Sequence, residues 1–356
     1  QGYKKHRKWK EEIVSMKRIE KNTPEVLLEV LEKAFGREIV EAGFKSELLN
    51  GGTVGEVMLV YGVARTLKGK ELPFKVVYKR QKKWERYGDP DSWRREYDLY
   101  AENLDTVFSD SFRWPKCYHA EILGDETHIW MEYVEGVTGL NLTGAMLEHI
   151  AEELGRFQGR LHAQQPEVLD TLSNLSGKDY IKNHYLHYKS WNEVYDYIRA
   201  EECEIPGHLC DMLIGLDEHS DEIWENIEQL PVVLCHRDFW VANILYTDRG
   251  IRLIDWDTTG WGYLGEDIAS LIADEADITH MAENYERCIK AYYKGFSEYV
   301  DISHIKSFHV KELILFMYGY RLVEWYKFAK TAEQKALQIA TLQQIYEMED
   351  VYHFLY

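Results

Sequence analysis

The spacing of apolar residues changes along the chain and separates a strand-rich first part from a helical second part. A helix is predicted to begin at Thr23, since a hydroxyl cap, a following proline and an acid favour a helix start. Apolar residues then recur at helical spacing as far as Gly36, which is expected to end the helix. Short β-prone runs at 57–63 and 74–78 are separated by glycine-containing turns, and this pattern predicts antiparallel hairpins.

After a further predicted strand at 127–134 the chain becomes almost entirely helical. Long stretches carry apolar residues at helical spacing, at 146–161, 282–299 and 310–328. The exception is 232–257, where two short apolar runs flank a polar loop and a turn, and where we expect an embedded hairpin. The sequence therefore predicts an α+β, bilobal fold, with a small antiparallel-sheet lobe in residues 1–135 and a large, mainly helical lobe in residues 136–356.

The chain carries a strong excess of negative charge, with 61 Asp and Glu against 42 Lys and Arg and a net charge of −19. Such a surface repels nucleic acids and anionic membranes, so neither is expected as a partner, whereas small cations are attracted. The five cysteines form no Cys-x-x-Cys pair, and no apolar run approaches the ~18–20 residues that span a bilayer. No signal peptide is recognised. A cytoplasmic protein is expected, and its oligomeric state is left open.

The residues with the clearest chemical pattern lie in the predicted hairpin. An apolar run delivers His236 and Asp238 to a loop, Asn243 follows five positions later, and a second apolar run delivers Asp255 twelve positions after that. Phosphoryl transfer needs a carboxylate that accepts a hydroxyl proton and oxygen ligands that hold Mg²⁺ against the phosphates. Asp and Asn are also common in hairpin turns. The D-x-x-x-x-N spacing, the preceding His and the strand-ending Asp together favour a kinase catalytic loop.

A second group of candidate residues lies in the first lobe. Gly52 and Thr53 belong to a glycine-rich turn whose backbone N–H groups would approach nucleotide phosphates, although Gly-Gly before a strand is often only a turn. Lys79 ends a strand in the pattern Val-Val-Tyr-Lys, where a lysine pairs with the α- and β-phosphates, and Glu96 on the next helix is its expected partner. The alternative is a surface lysine among basic neighbours, and the downstream motif favours the first interpretation.

These motifs resemble those of the aminoglycoside phosphotransferase and choline kinase superfamily, the small-molecule branch of the protein-kinase-like fold. The resemblance extends from about Leu48 to the C-terminal helices and is most specific in residues 232–269. It implies a nucleotide-binding first lobe that uses ATP, with Asp238 as the catalytic base and with Asn243 and Asp255 as Mg²⁺ ligands. It also implies that the adenine is bound by backbone groups at the end of a strand, near Glu132, Tyr133 and Val134.

The resemblance places the acceptor between the catalytic loop and the C-terminal helices, where acidic and aromatic residues are plentiful. The candidate contacts are Asp257, Trp261, Glu266, Asp274, Glu324 and Trp325, with Trp256, Tyr263, Glu275 and Tyr320 beside them. Carboxylates and aromatic rings suit an ammonium-bearing alcohol through charge pairing and cation–π attraction. A small cationic acceptor is therefore expected, with aminoglycosides, amino alcohols, amino sugars and methylthioribose-like sugars all open. The alternative is that this aromatic stripe is simply core.

Two other functions stay open at this point. Arg237 stands where the resembled small-molecule kinases usually carry glycine, and it gives the loop the His-Arg-Asp of a protein kinase. However, only about ten residues separate Asp257 from Asp267, and no Ala-Pro-Glu follows, so a protein-kinase activation segment has no room. A catalytically silent binding or structural protein, as among spore-coat relatives, is the other alternative. The complete set of catalytic residues argues against it.

Overall fold

The structure is a computed structural model that describes residues 23–49, 55–274 and 280–349. The described residues form two compact units. The first contains the described residues of 23–106, 114–135 and 172–174, and the second those of 107–113, 136–171 and 175–349. The first unit contains an antiparallel sheet and the second is mainly helical, which confirms the predicted α+β fold class.

The first unit is built on a five-stranded antiparallel sheet with the spatial order β1-β2-β3-β6-β5. Its strands are β1 (Ile39–Leu48), β2 (Gly55–Thr66), β3 (Glu71–Lys82), β5 (Cys117–Leu123) and β6 (Glu126–Glu132), while β4 (Phe112–Arg113) belongs to the second unit. Two helices accompany the sheet, α1 (Thr23–Phe35) and α2 (Ser92–Ala101). The predicted runs at 57–63 and 74–78 lie within β2 and β3, so these two strand predictions are confirmed.

The core of the first unit lies between α1 and one face of the sheet. Leu27 and Leu31 of α1 are buried against Val60, Val76 and other alternate strand positions. Because successive strand residues point to opposite faces, the residues between these core positions face away from α1. The sheet thus has one face closed by α1 and a second face on which polar residues of β3 lie.

The second unit is dominated by helices. They are α3 (Gly144–Gln164), α4 (Val168–Thr171), α5 (Tyr180–Ser190), α6 (Val194–Tyr197), α7 (Gly207–Glu218), α8 (Ser220–Ile227), α9 (Glu266–Ala273), α10 (Met281–Ser297), α11 (Val310–Ile314), α12 (Tyr320–Lys327) and α13 (Ala332–Glu347). Helices α3 and α10 pack closely because glycines face the partner backbone. A Cβ at Gly155 would lie 2.1 Å from the Tyr292 carbonyl oxygen, and one at Gly295 would lie 2.2 Å from that of Glu152.

Short strands hold the loop that carries the candidate catalytic residues. Strand β7 (Val232–Cys235) pairs with β10 (Gly260–Tyr263), and β8 (Ile244–Thr247) pairs with β9 (Gly250–Leu253) in a three-stranded sheet that includes β4. The predicted turn therefore lies between β8 and β9. The expectation of one hairpin from 232 to 257 is wrong, because β7 and β9 belong to different sheets. The loop after β7 and the loop after β9 consequently begin at strands of two separate sheets.

The predicted helix over 310–328 is interrupted. A π-helical segment at Leu315–Gly319 separates α11 from α12. Backbone hydrogen bonds in a π-helix span five residues instead of four, so the helix is wider in the middle of the stretch. All five residues of this π segment are buried, and a Cβ at Gly319 would lie 2.7 Å from a methyl group of Leu213. Apolar spacing alone does not distinguish this arrangement from one continuous helix. None of the described helices combines the length and apolar character needed to cross a lipid bilayer.

Candidate active site

The loop after β7 is anchored by the carboxylate of Asp267, at the start of α9. Asp267 accepts hydrogen bonds from the backbone N–H groups of His236 (2.8 Å) and Arg237 (2.7 Å). It also accepts one from the side-chain amide of Gln158 on α3, at 3.0 Å. Burial raises the pKa of Asp267 to about 7, and the backbone donors oppose this rise because they favour the charged carboxylate. Asp267 therefore holds the loop structure.

Arg237 is directed into the protein and away from the loop surface. Its backbone has φ of +67°, and its guanidinium bonds to Glu266 (3.2 Å), to the hydroxyl of Ser176 (2.6 Å) and to the carbonyl of Trp261. The guanidinium carbon also lies 4.7 Å from the ring centroid of Tyr180. Arg237 thus neutralises a buried carboxylate instead of presenting a charge to a ligand.

The expectation that Glu266 contacts the acceptor is corrected by this ion pair. Glu266 is 1% exposed, and it accepts hydrogen bonds from Arg237 and from the backbone N–H of Tyr263 at 2.9 Å. Gly262 makes room for it, since a Cβ there would lie 2.3 Å from the Glu266 carboxylate. Sequence alone shows an acid after a glycine-rich turn and does not reveal that the acid points inward.

His236 connects the two loops. Its Nε2 lies 3.1 Å from the carbonyl of Ile254, and its Nδ1 accepts the backbone N–H of Asp238 at 3.3 Å. Its own carbonyl accepts the hydroxyl of Thr258 at 3.0 Å. This pattern fits a neutral imidazole with the proton on Nε2. His236 therefore positions Asp238 relative to the strand end that carries Asp255.

The side chains predicted for chemistry meet in the space between these loops. The Asn243 amide nitrogen donates to the Asp238 carbonyl oxygen (3.0 Å) and carboxylate (2.6 Å). Burial raises the pKa of Asp238 to about 7, and the negative charges of Asp255, Asp257 and Asp274 raise it further. The site thus concentrates carboxylates around the half-buried Asp238, an arrangement that favours a bound cation.

The residues present fit a magnesium ion that is shared with phosphates. Because the Asn243 nitrogen donates to Asp238, its amide oxygen is left as the acceptor end of that side chain. Asp255 follows β9 with φ of +68°, a conformation that few non-glycine residues adopt. No group of three or more His, Cys, Asp or Glu side chains within the described ranges forms a metal cage. Mg²⁺ typically takes only one or two protein oxygens together with water and substrate phosphates.

In the first unit, Lys79 and Glu96 form the predicted ion pair. The Lys79 Nζ lies 2.5 Å from a carboxylate oxygen of Glu96, and the two side chains are only 12% and 5% exposed. Glu96 comes from α2 and Lys79 from β3. The pair fixes the lysine at a defined position on the sheet, and its role toward a nucleotide stays a prediction.

The structure describes only some of the remaining candidates for nucleotide contact. Gly52 and Thr53, like the acceptor candidate Glu275, lie outside the described residues. Glu132 is the last residue of β6, and its backbone N–H donates to the carbonyl of Lys116 at 2.8 Å. Tyr133 and Val134 follow directly after the end of that strand. The adenine contacts assigned to these three residues stay a prediction.

The other acceptor candidates occupy varied environments in the second unit. Asp257 is buried, Trp261 is half-buried, and Glu324 accepts a hydrogen bond from the Asn192 amide at 2.6 Å. Trp325 is 37% exposed. Three residues that the sequence does not single out, Tyr188, Tyr318 and Arg321, lie in the same neighbourhood. For the two tyrosines the sequence signal was the spacing of aromatic residues, which predicted no particular partner for either of them.

The sequence of this chain matches one protein-family profile. The sequence profile described as "Phosphotransferase enzyme family" matches residues 81–299, which include Asp238, Asn243 and Asp255. No curated protein sequence gives a significant match.

Solved structures share the fold. An amicoumacin kinase in complex with AMP-PNP, Ca²⁺ and Ami superposes with a TM-score of 0.54 and 16% identity, covering 87% of this chain and 92% of that one. A choline kinase from Cryptosporidium parvum Iowa II gives 0.53 and 15%, with 88% and 93% covered. A microcompartment-associated aminopropanol kinase gives 0.51 and 15%, with 90% and 95% covered. At these identities the likeness shows the fold alone.

Proposed function

We propose, on the premise that this chain belongs to the phosphotransferase enzyme family, that it transfers the γ-phosphoryl group of ATP to a hydroxyl group of a small molecule. The observation that carries this proposal is the half-buried Asp238, which is held by Asn243 and surrounded by the charges of further carboxylates. A carboxylate in this position is suited to accept a hydroxyl proton. The same negative charge favours an acceptor with a positively charged nitrogen.

In the proposed reaction, the oxygen of the acceptor hydroxyl forms a bond to the γ-phosphorus. Asp238 accepts the proton that this hydroxyl loses. The bond from that phosphorus to the β,γ-bridging oxygen breaks, and ADP leaves. Mg²⁺, when bound by Asn243 and Asp255, supplies positive charge against the phosphate oxygens. With the charge of the neighbouring carboxylates neutralised by Mg²⁺, the pKa of Asp238 would fall from its raised value, and this base would stay ionised.

The first unit supplies the proposed nucleotide contacts. Lys79, fixed by Glu96, is assigned to the α- and β-phosphates. The backbone of Gly52 and Thr53 is assigned to the phosphates, and the chain around Glu132, Tyr133 and Val134 to the adenine. These assignments follow from the motifs, and the ion pair of Lys79 with Glu96 is the structural observation that supports them.

The alternatives are less well supported. Arg237 was the feature in favour of a protein kinase, and its burial against Glu266 gives it a structural role. A silent binding protein has no chemical need for both the Lys79–Glu96 pair and the Asp238–Asn243 hydrogen bond. The choline and aminopropanol kinases that share the fold are named for small nitrogen-bearing alcohols. We therefore retain a small acceptor that carries a positively charged nitrogen, and we expect the protein to act in the cytoplasm.

The proposal predicts ATP binding that depends on magnesium through Asp255. In calorimetric titrations, removal of Mg²⁺ with a chelator should weaken ATP binding about tenfold or more, because the ion links the phosphates to the carboxylates. Asp255→Asn should show weak binding with or without Mg²⁺. The matched control is Asp221→Asn, an exposed aspartate on α8, which should behave as wild type. Wild-type protein with no measurable affinity for ATP in the presence of Mg²⁺ would remove the proposed function.

A further inference from the structure

Arg321, in the first turn of α12, is an arginine with an unusual environment. It is half-buried, and it takes part in no ion pair or hydrogen bond with the residues that the structure describes. Its guanidinium carbon instead lies 4.4 Å from the ring centroid of Trp325 and 5.8 Å from that of Tyr318. By contrast, the buried Arg95 pairs with Asp89 at 2.6 Å. In a chain with a net charge of −19, carboxylate partners are plentiful, so this arrangement indicates a specific use.

The position of Arg321 over aromatic rings leaves its guanidinium able to bind an anion. Cation–π contact uses the positive charge of the guanidinium and does not consume its N–H hydrogen bonds. Those donors match a carboxylate or a phosphate, which accepts two parallel hydrogen bonds. No residue that the structure describes accepts them, so Arg321 has these donors available for a ligand.

Tyr318 connects Arg321 to the candidate active site. It belongs to the π segment, and its hydroxyl lies 3.1 Å from a carboxylate oxygen of Asp274 and 3.2 Å from the hydroxyl of Ser270. Burial raises the pKa of Tyr318 well above its ordinary value; Asp274 raises it further, Arg321 lowers it, and Asp238 raises it. The buried Tyr318 thus contacts the Arg321 guanidinium through its ring and the Asp274 carboxylate through its hydroxyl, and the charge of Asp238 acts on its pKa as well.

A second aromatic residue faces the same charges from α5. Burial raises the pKa of Tyr188; Arg321 lowers it, and Glu324 and Asp274 raise it. Tyr318 thus lies beside both Arg321 and Asp274, and the pKa of Tyr188 responds to the same two charges, although these oppositely charged residues form no ion pair with each other. Two separated charges of opposite sign between aromatic rings are suited to a ligand that itself carries both signs.

We propose that the acceptor is a zwitterion whose anionic group is bound by Arg321 and whose ammonium group is bound by Asp274. This inference rests on the proposed function, because it takes the acceptor hydroxyl to lie at Asp238. A hydroxyl, an ammonium and a carboxylate in one small molecule describe an amino acid with a side-chain hydroxyl. An acceptor with positive charge alone has no group for Arg321, and a polycationic aminoglycoside meets it as a like charge.

The test compares acceptors that differ only in the carboxylate. Serine is paired with ethanolamine and homoserine with 3-aminopropanol, and kcat/KM is measured for each with Mg²⁺ and ATP. We expect wild type to prefer one of the amino acids over its amino alcohol on the order of 10- to 100-fold, as a charge-assisted hydrogen-bonded pair provides. Arg321→Gln should abolish this preference, mainly through KM, while its ATP affinity and its activity on the amino alcohol change less than about twofold.

The control is Arg249→Gln, an exposed arginine in the turn between β8 and β9, which should keep the wild-type preference. An unchanged thermal unfolding midpoint for Arg321→Gln separates recognition from a structural role. Wild-type preference for the amino alcohols, or a preference that survives in Arg321→Gln, overturns the inference while the kinase function stands. Magnesium-dependent ATP binding without phosphorylation of any of the four compounds also overturns it. Absence of both binding and phosphorylation overturns the proposed function itself.

Discussion

Replacement of Asp238 by Asn is expected to lower kcat by about 10²- to 10⁴-fold, the usual contribution of a general base. Asn keeps the size of the side chain and its contact with Asn243, but it cannot accept the hydroxyl proton. Because Asp238 acts on the acceptor, ATP affinity should stay within about twofold of wild type. Steady-state kinetics together with calorimetry of ATP binding measure the two effects separately.

The matched control for this substitution is Asp248→Asn, which changes an exposed aspartate in the turn between β8 and β9. It removes the same charge from the same unit and should retain wild-type kcat. An Asp238→Asn enzyme that keeps most of its kcat would show that another group takes the proton. A parallel loss of ATP affinity would instead assign Asp238 to nucleotide or metal binding.

Replacement of Glu266 by Gln is expected to destabilise the protein by about 3–5 kcal/mol, the cost of leaving one member of a buried ion pair without its partner. The Arg237 guanidinium, which is fully buried, would then keep its charge with only neutral acceptors around it, namely the Gln amide oxygen, the Ser176 hydroxyl and the Trp261 carbonyl. Denaturant unfolding measures the loss. We also expect lower kcat at temperatures where the variant stays folded, because Arg237 adjoins Asp238 in the loop.

Glu283→Gln provides the comparison for this stability prediction. It breaks an ion pair with Arg287 one turn away on the surface of α10, where the Glu283 side chain is 60% exposed. Exposed pairs of this kind contribute about 0.2–1 kcal/mol. If Glu266→Gln were no more destabilising than Glu283→Gln, the buried pair would not be what holds the catalytic loop.

The candidate catalytic residues could be predicted from sequence because their geometry is local. Asp238 and Asn243 are five positions apart in one loop, and that spacing is sufficient for the hydrogen bond between their side chains. Lys79 and Glu96 are further apart, but each follows from its place on a strand or helix. Strands β2, β3 and β6 were predictable for the same reason, since alternation and glycine turns act over a few residues.

The features that sequence did not predict depend on contacts between distant elements. Glu266 was expected to face an acceptor, but the space at Gly262 and the charge of Arg237 draw it inward. The π segment before α12 has the same apolar spacing as a helix. It nevertheless changes which residues share a face, and with it the positions of Tyr318 and Arg321. Asp274 was expected near the acceptor, but its hydrogen bond from Tyr318, forty-four positions later, is a contact that the sequence does not predict.

The most direct test of the kinase assignment is ³¹P NMR of wild-type protein incubated with Mg²⁺, ATP and a panel of small hydroxyl compounds, namely amino alcohols, hydroxy amino acids, amino sugars and aminoglycosides. The same panel with Asp238→Asn is the control. The account predicts a new phosphate monoester signal, with an equal amount of ADP, for at least one nitrogen-bearing alcohol with wild type and a signal at least about 100-fold weaker with Asp238→Asn. It would be contradicted if no monoester formed with any compound, or if wild type and Asp238→Asn produced it at the same rate.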